Sequence, residues 1–499
     1  MTNMENPAED RPHDFASRRW PALLICLVAS FMTLLDVSVV TIALPSMERN
    51  LHLSPAEITW AVAGYALAFG LTLVPAGRLG DEYGRRRLFL VGLSLFAVTG
   101  VICGVAPNAG ILIAGRLLRG VSAGILAPQV IGLMQQMYPR QTRGRAFGYY
   151  GATTGMSTAV GPLLGGVVLQ VFGPAVGWRW VFYLSIPIVL VALAVGVRVL
   201  PADHRGHAHR LDLLGVLLLG LGVLLIMLPM LQETGARAQP QFWLFAVGAV
   251  FLVLFVRWER RLAARDARPL VHLKVLRIRS YAVGTTIATA FYTGFTSIFL
   301  VLTLFLQQGL KYSPLQAVLT TLIFTIASAG AAVLSGRLVH RVGRPLVVLG
   351  TGLATVGLIA VALVSHASTK ADAPLVLAIP LLVAGAGCGL VISANQTLTL
   401  TDITRATAGV AAGVYETGVR IGTALGTAIV SALFFGTLLS THGDYHAAVA
   451  AGLISPAVLV GVAFLIGLVD LVRPVRVTAA PREAVDAEVA GQTPSTRSG

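Results

Sequence analysis

The sequence predicts an all-α polytopic membrane protein with fourteen spans. Three observations predict it. Of 499 residues, 56% are hydrophobic and only 12% charged, where an ordinary soluble domain carries about 25% charged residues. The apolar residues run in stretches of roughly 20, the length of a spanning helix. They do not alternate in segments of about ten, as outer-membrane barrel strands do. Finally, the basic residues sort onto one side when the spans are drawn.

The spans read as 20–44, 57–78, 88–106, 109–134, 145–172, 178–200, 211–231, 241–258, 280–306, 314–337, 345–365, 374–400, 407–438 and 446–470. Residues 1–19 form a polar N-terminal tail with Pro7, Pro12 and three Arg. The first apolar run is too long for a signal-peptide core and lacks a small-residue cleavage site, so it is expected to remain as the first span. The second span ends in GRLGDEYGRR, residues 77–86. Gly77 and Gly84 are expected to allow a tight turn there. Asp81 can accept hydrogen bonds at a helix N-terminus, and Arg85, Arg86 and Arg87 are expected to face an anionic leaflet. In the fifth span, GATTGMSTAVGPLLGG sets Gly151 and Gly155, then Gly161 and Gly165, four residues apart, followed by Gly166. Each pair lies on one helix face, where small residues admit a neighbouring backbone. Pro162 removes a donor and is expected to kink the helix where it stands. Simple packing and a moving interface both fit this pattern. The loop 259–279 suits a short interfacial helix, and the tail 471–499 is expected to be disordered.

With an even count, both termini share a side, taken as cytoplasmic. Of 37 Lys and Arg, 29 then fall inside and five outside: Arg49, Arg179, Arg237, Lys311 and Lys370. Three lie within spans: Arg116, Arg119 and Arg420. This positive-inside bias accounts for most of the formal net charge of +15 without a nucleic-acid partner. Membrane lipid is the expected partner of the basic face. Cys26, Cys103 and Cys388 all lie in apolar runs and read as core filler. His204, His207 and His209 cluster in a loop, where metal binding and plain solvent exposure both fit; no metal site is assigned.

GRLVHRVGRP at 336–345 repeats the G-R-L, four residues, G-R pattern of 77–86, with His340 in place of Asp81. The two copies end equivalent spans if 20–200 and 280–470 are parallel halves and 201–258 carries two inserted spans.

These residues resemble a known family. GRLGDEYGRRR at 77–87 resembles the loop signature of the major facilitator superfamily. LDVSVVTIALP at 35–45, GPLLGG at 161–166 and GWRWVFYLSIPI at 177–188 resemble motifs of its fourteen-helix drug:proton antiporter branch, GPLLGG matching the antiporter motif. The resemblance implies two six-helix bundles plus two inserted helices around a central cavity. It implies alternating access, with export of small hydrophobic or cationic compounds, drugs or antibiotics, in exchange for protons. The proton motive force would replace any cofactor, and a monomer in a bacterial cytoplasmic membrane is expected. Three positions depart from the family pattern. Arg119 stands where a Gln is usual after Arg116, Glu416 where an Asn is usual, and the nearby cation falls at Arg420, one position late. Substrate charge preference is therefore open.

Ionisable groups within a bilayer are costly and mark candidate sites. Asp36 lies eight positions before Leu44, and Arg116 seven after Ala109. At about 1.5 Å per residue both sit roughly 10–12 Å deep, so they could pair or share a cavity. Arg119 follows one turn deeper on the same face. Proton coupling and a permanent structural pair both fit. Glu416 and Arg420 have the spacing of an intrahelical pair; a self-neutralised pair, a second proton site and a cation contact all fit. Phe31, Tyr65, Phe291, Tyr292 and Phe295 could line a drug cavity or fill a core. No HExxH, no GxSxG in a suitable setting and no GxxxxGK[ST] loop is present, so neither an enzyme nor self-contained ATP-driven transport is expected. Uptake by symport is the less favoured transport reading. A dedicated exporter of one endogenous metabolite would read the same way as a multidrug pump.

Overall fold

The structure is a computed structural model that describes residues 12–203, 212–231, 243–264, 270, 273–404 and 407–472. The described elements are helical. They are α1 (Pro12–Leu51), α2 (Pro55–Tyr83), α3 (Arg85–Val105), α4 (Ala109–Met137), α5 (Arg140–Tyr183), α6 (Ser185–Val199), α7 (Leu213–Leu231) and α8 (Trp243–Ala264). There follow α9 (Arg279–Leu304), α10 (Pro314–Val342), α11 (Arg344–Ala367), the short α12 (Ala373–Val376), α13 (Ala378–Thr399), α14 (Ala408–Ser440) and α15 (Tyr445–Val472).

Each predicted span falls on a helix, but eleven helices among the described residues are long and apolar enough to cross a membrane. Leu163–Gly173 and Leu213–Ile226 are shorter apolar stretches. The other three predicted spans, 145–172, 211–231 and 241–258, fall on α5, α7 and α8, which do not meet this measure over their described residues. The fifth and sixth spans share one helical run, whose single non-helical residue is Gly173, at φ 74° and ψ 160°. The non-helical break falls at Gly173, where a positive φ suits glycine and no other residue well. The helix continues through Pro162, whose side chain lies outside the described residues. The expected interfacial helix of 259–279 is also different. α8 runs on to Ala264, and a 3-10 turn occupies Leu273–Arg277. His204, His207, His209 and the tail after Val472 lie outside the described residues.

Local chemistry starts the helices alike in both halves. Ser54 caps α2 and Ser313 caps α10, each in a reciprocal capping box, with Glu57 and Gln316 respectively, and each is followed by Pro. Hydrogen bonds from the Ser54 backbone and hydroxyl hold the Glu57 carboxyl below its ordinary pKa.

The packing order repeats as well. α1 packs on α5 and α6, α2 on α4, and α3 on α4 and α6; α9 packs on α14 and α15, α10 on α13, and α11 on α13 and α15. One apolar core forms around Phe89, Phe96, Phe147 and Phe182, a second around Phe291, Phe305, Phe324 and Phe434. The halves meet where α5 packs on α10 and where α2 packs on α14. α7 and α8 form a hairpin that lies against α2 and α14 through α7.

Candidate functional site

Two helices of the first half, α1 and α4, bring Asp36, Arg116 and Arg119 together. Asp36 Oδ2 meets the Arg116 guanidinium at 2.5 Å, and its Oδ1 meets Arg119 Nε at 2.6 Å. All three side chains are buried, Arg119 completely. The helical rise places Asp36 and Arg116 at one depth and Arg119 one turn deeper, as their positions in the sequence require. Arg116 Nε also donates to Ala61 O at 2.8 Å. Arg119 donates to Phe96 O at 2.9 Å and to Ser185 Oγ at 2.8 Å, and lies 3.9 Å over the Phe96 ring. Gly100 leaves it room, for a Cβ there would stand 2.7 Å from its terminal nitrogen. A buried carboxylate is tolerable only when charges and hydrogen bonds replace its water. Here both oxygens of Asp36 have a cationic partner, and the triad retains one surplus positive charge.

Of the readings open for Glu416 and Arg420, the intrahelical contact pair is not made. Among the described residues no contact ion pair joins them. Arg420 reaches from α14 across to α2, where its guanidinium lies 4.2 Å over Phe69, and its Nε is buried without a hydrogen-bond partner. Phe69 stacks on Tyr65 at 6.1 Å, and Arg116 lies 4.6 Å over Tyr65. A continuous stack, Arg116–Tyr65–Phe69–Arg420, therefore joins the triad to the opposite half. Glu416 and Arg420 line a cleft between the halves with Ser30, Thr33, Phe69 and Tyr150. The remaining aromatics divide. Tyr65, Phe291 and Phe295 are buried in apolar cores, while Phe31 and Tyr292 pack at core margins.

At the arginine-rich end the halves are sealed. Asp81 Oδ1 and Oδ2 accept from Gly409 N and Val410 N, both at 3.0 Å, in the first turn of α14. The expected helix N-terminus is thus that of the opposite half, whose partial positive charge suits a carboxylate. Arg85 holds Asp81 at 2.7 Å and donates to Gly132 O at 2.9 Å. Arg86 donates from its side chain to Val197 O, and the Arg86 and Arg87 amides are capped by Asp203. The expectation of three lipid-facing arginines is corrected accordingly. Arg85 is buried, Arg86 half-buried and Arg87 alone exposed. Gly84 does make the turn, with φ 107°. Gly77 instead lies inside α2, where a Cβ would stand 2.3 Å from Gly409 O; it serves close contact, not turning.

The second copy seals the other seam. His340 Nε2 accepts from Gly144 N at 3.2 Å, near the start of α5. Gly336, which matches Gly77, would place a Cβ 2.3 Å from Gly144 O. Asp81 of α2, holding α14, and His340 of α10, holding α5, are thus equivalent latches.

The glycines of α5 divide between two partners. A Cβ at Gly151 would meet Ala332 at 3.2 Å and one at Gly155 would meet Ser328 at 3.6 Å, both on α10 of the second half. Gly161 and Gly165 face Ser38 and Ile42 on α1, within their own half, and Gly166 meets nothing within 4 Å. An inter-half contact at Gly161–Gly166 is therefore not made here. It runs instead along Gly144, Gly148, Gly151 and Gly155. Sequence reading missed Gly144, Gly148 and Gly336, although Gly144 and Gly148 continue the same small-residue spacing.

Among the described residues no group of His, Cys, Asp and Glu has a metal-binding arrangement. The three cysteines are free and buried. Asp212 caps α7 through Gly215 N at 3.0 Å, and Asp402 accepts from Ser280 Oγ at 2.9 Å.

Comparison with known proteins agrees with this architecture. The chain is 34% identical over 425 residues to a probable actinorhodin transporter of Streptomyces coelicolor, covering 85% of this chain and 73% of that protein. It is 34% identical over 468 residues to a puromycin resistance protein of Streptomyces alboniger, covering 91% and 90%. The solved proton:xylose symporter XylE shares the fold at TM-score 0.64 and 14% identity, covering 90% of this chain and 95% of that one. The profile described as Major Facilitator Superfamily matches residues 26–427, and the chain belongs to that family of membrane transporters.

Proposed function

We propose that this transporter exports small amphipathic drugs or antibiotics across the bacterial cytoplasmic membrane in exchange for protons, by alternating access. The observation that carries the reading is Asp36, a buried carboxylate held by two arginines and tied by an aromatic stack to the cleft between the halves. A proton on Asp36 would cancel the negative charge that holds Arg116 and Arg119 together, and so change the packing at its helix. Similarity to antibiotic transport and resistance proteins supports small-molecule export. The arginine-rich end is assigned to the cytoplasm by the positive-inside rule, with both termini there. The sealed contacts of Asp81 and His340 then belong to a state closed toward the cytoplasm. No cofactor is needed beyond the proton motive force.

The test is drug uptake into inverted vesicles with an imposed pH gradient. Wild-type protein should accumulate substrate only with the gradient. Asp36→Asn should lose gradient-driven transport while remaining in the membrane. Wild-type transport by that variant would overturn the proton role of Asp36. A dedicated export of one endogenous metabolite would show as gradient-driven movement of that compound alone.

A further inference from the structure

We infer that Arg420 is a substrate-binding residue and that the cargo it selects is an aromatic compound bearing an acidic oxygen, such as a carboxylate or phenolate. Its setting is unlike that of the other two intramembrane arginines. Arg116 and Arg119 are each tied to Asp36 and to backbone carbonyls. Arg420 has no such ties. Its flat face rests on Phe69, its Nε is buried without an acceptor, and no carboxylate stands within ion-pair distance among the described residues. A guanidinium presents five donors in a rigid fork that matches a carboxylate. Leaving such donors unmet inside a protein is costly. Arg420 lines, with Ser30, Thr33, Tyr150 and the Glu416 carboxylate, a cleft of about 10 Å³, room for one water, so the cargo reaches the fork only when the halves part.

Charge points the same way. Asp36 holds Arg116 and Arg119, and Glu416 shares the cleft with Arg420, so with both carboxylates ionised the five groups along the stack keep one positive charge in excess, at the triad end. An anion completes that balance, and an organic cation adds to the excess. Tyr150 supplies a ring face for an aromatic body beside the fork, while Phe69 is held between Arg420 and Tyr65. The anion and the proton occupy separate groups in this arrangement. Outward movement of an anion and inward movement of a proton displace charge in the same sense, so the membrane potential drives both.

This inference rests on the export reading only for the direction of movement, and binding tests it separately. Fluorescein and rhodamine 6G share a xanthene ring system and differ in charge, the first an anion and the second a cation at neutral pH. Anisotropy titrations of each dye on the full-length protein in nanodiscs should show tighter binding of fluorescein. Arg420→Gln should weaken fluorescein at least tenfold and leave rhodamine 6G within twofold, which also shows that the variant is folded. Arg420→Lys should retain part of the fluorescein affinity. Unchanged fluorescein binding in Arg420→Gln, equal loss of both dyes, or a wild-type preference for rhodamine 6G would overturn the inference. Gradient-driven vesicle transport of the same dyes separates the two readings. Bound but untransported fluorescein sinks export and leaves the anion site standing. Transported rhodamine 6G without fluorescein binding sinks the anion site alone.

Discussion

Asp36 is the residue on which the buried polar contacts of the first half converge. Its two oxygens each hold an arginine, and those arginines reach three further acceptors. Removing the carboxylate strands two buried cations, which costs about 3–5 kcal/mol when a buried pair is broken. Asp36→Ala should therefore lower the thermal unfolding temperature in detergent clearly. Asp36→Asn, which keeps a carbonyl acceptor, should lower it less. An Asp36→Ala variant as stable as wild type would show that the arginines find other partners. The two arginines also differ in their ties. Arg119 binds Phe96 O and Ser185 Oγ as well as Asp36, whereas Arg116 has Ala61 O and the stack toward Arg420. Arg119 thus anchors the site, and Arg116 is the arm that faces the opposite half. The meeting of Asp36 with Arg116 and Arg119 was legible because helical rise fixes depth, and depth fixes which spans can share a charge. The course of Arg420 was not legible. Spacing of four sets where two Cβ atoms lie, but a long side chain can cross to another helix, here to the Phe69 ring.

At the scale of the element, α2 and α10 are the same device built twice. Ser54 and Ser313 each open a capping box 23 positions before the glycines Gly77 and Gly336 of the shared G-R-L pattern. The repeat read from the loops alone was therefore too short, because capping boxes look like ordinary helix starts until the common spacing is noticed. The devices differ at the latch. Asp81 is a charged acceptor at the N-terminus of α14, whereas His340 accepts from Gly144 through Nε2, so its ring is neutral with the proton on Nδ1. Arg337 and Arg341 share its helix, and Arg143 and Arg145 stand beside Gly144 on α5. His340→Asp should copy the first latch onto the second seam. A charged hydrogen bond exceeds a neutral one by about 1 kcal/mol. The sealed state should gain roughly fivefold in population, turnover should slow, and a cysteine placed near Gly148 should be less reactive to a thiol reagent. Equal or faster labelling would show that His340 does not hold this seam. The glycines of α5 show the limit of motif reading. Their spacing predicts close contact, yet only the assembled fold decides that Gly151 and Gly155 face α10 while Gly161 and Gly165 face α1.

In the whole molecule, the two seams are α5 on α10 and α2 on α14, pairs that a two-fold operation exchanges. Neither can open alone while the halves move as rigid bodies, so the proposed alternating access would release Asp81 and His340 together. The inserted hairpin breaks this symmetry. α7 lies against α2 of one half and α14 of the other, with Val223 among Leu67, Leu71 and Ala424, and with Phe255 of α8 near Val74 and Val410. Apolar surfaces of this kind hold by packing in lipid and have no directional bonds. The hairpin can then ride on one half and slide on the other. A cross-link from Val223→Cys to Leu67→Cys, tying α7 to α2, should leave transport within about twofold of the reduced protein. A further cross-link from α7 to α14, through Ala424→Cys, should stop transport and restore it on reduction, since the hairpin would then bridge two bodies that must separate. Normal transport with both cross-links closed would show that α2 and α14 stay together throughout the cycle. In that case the motion is confined to the α5–α10 seam, and His340 rather than Asp81 is the contact that opens.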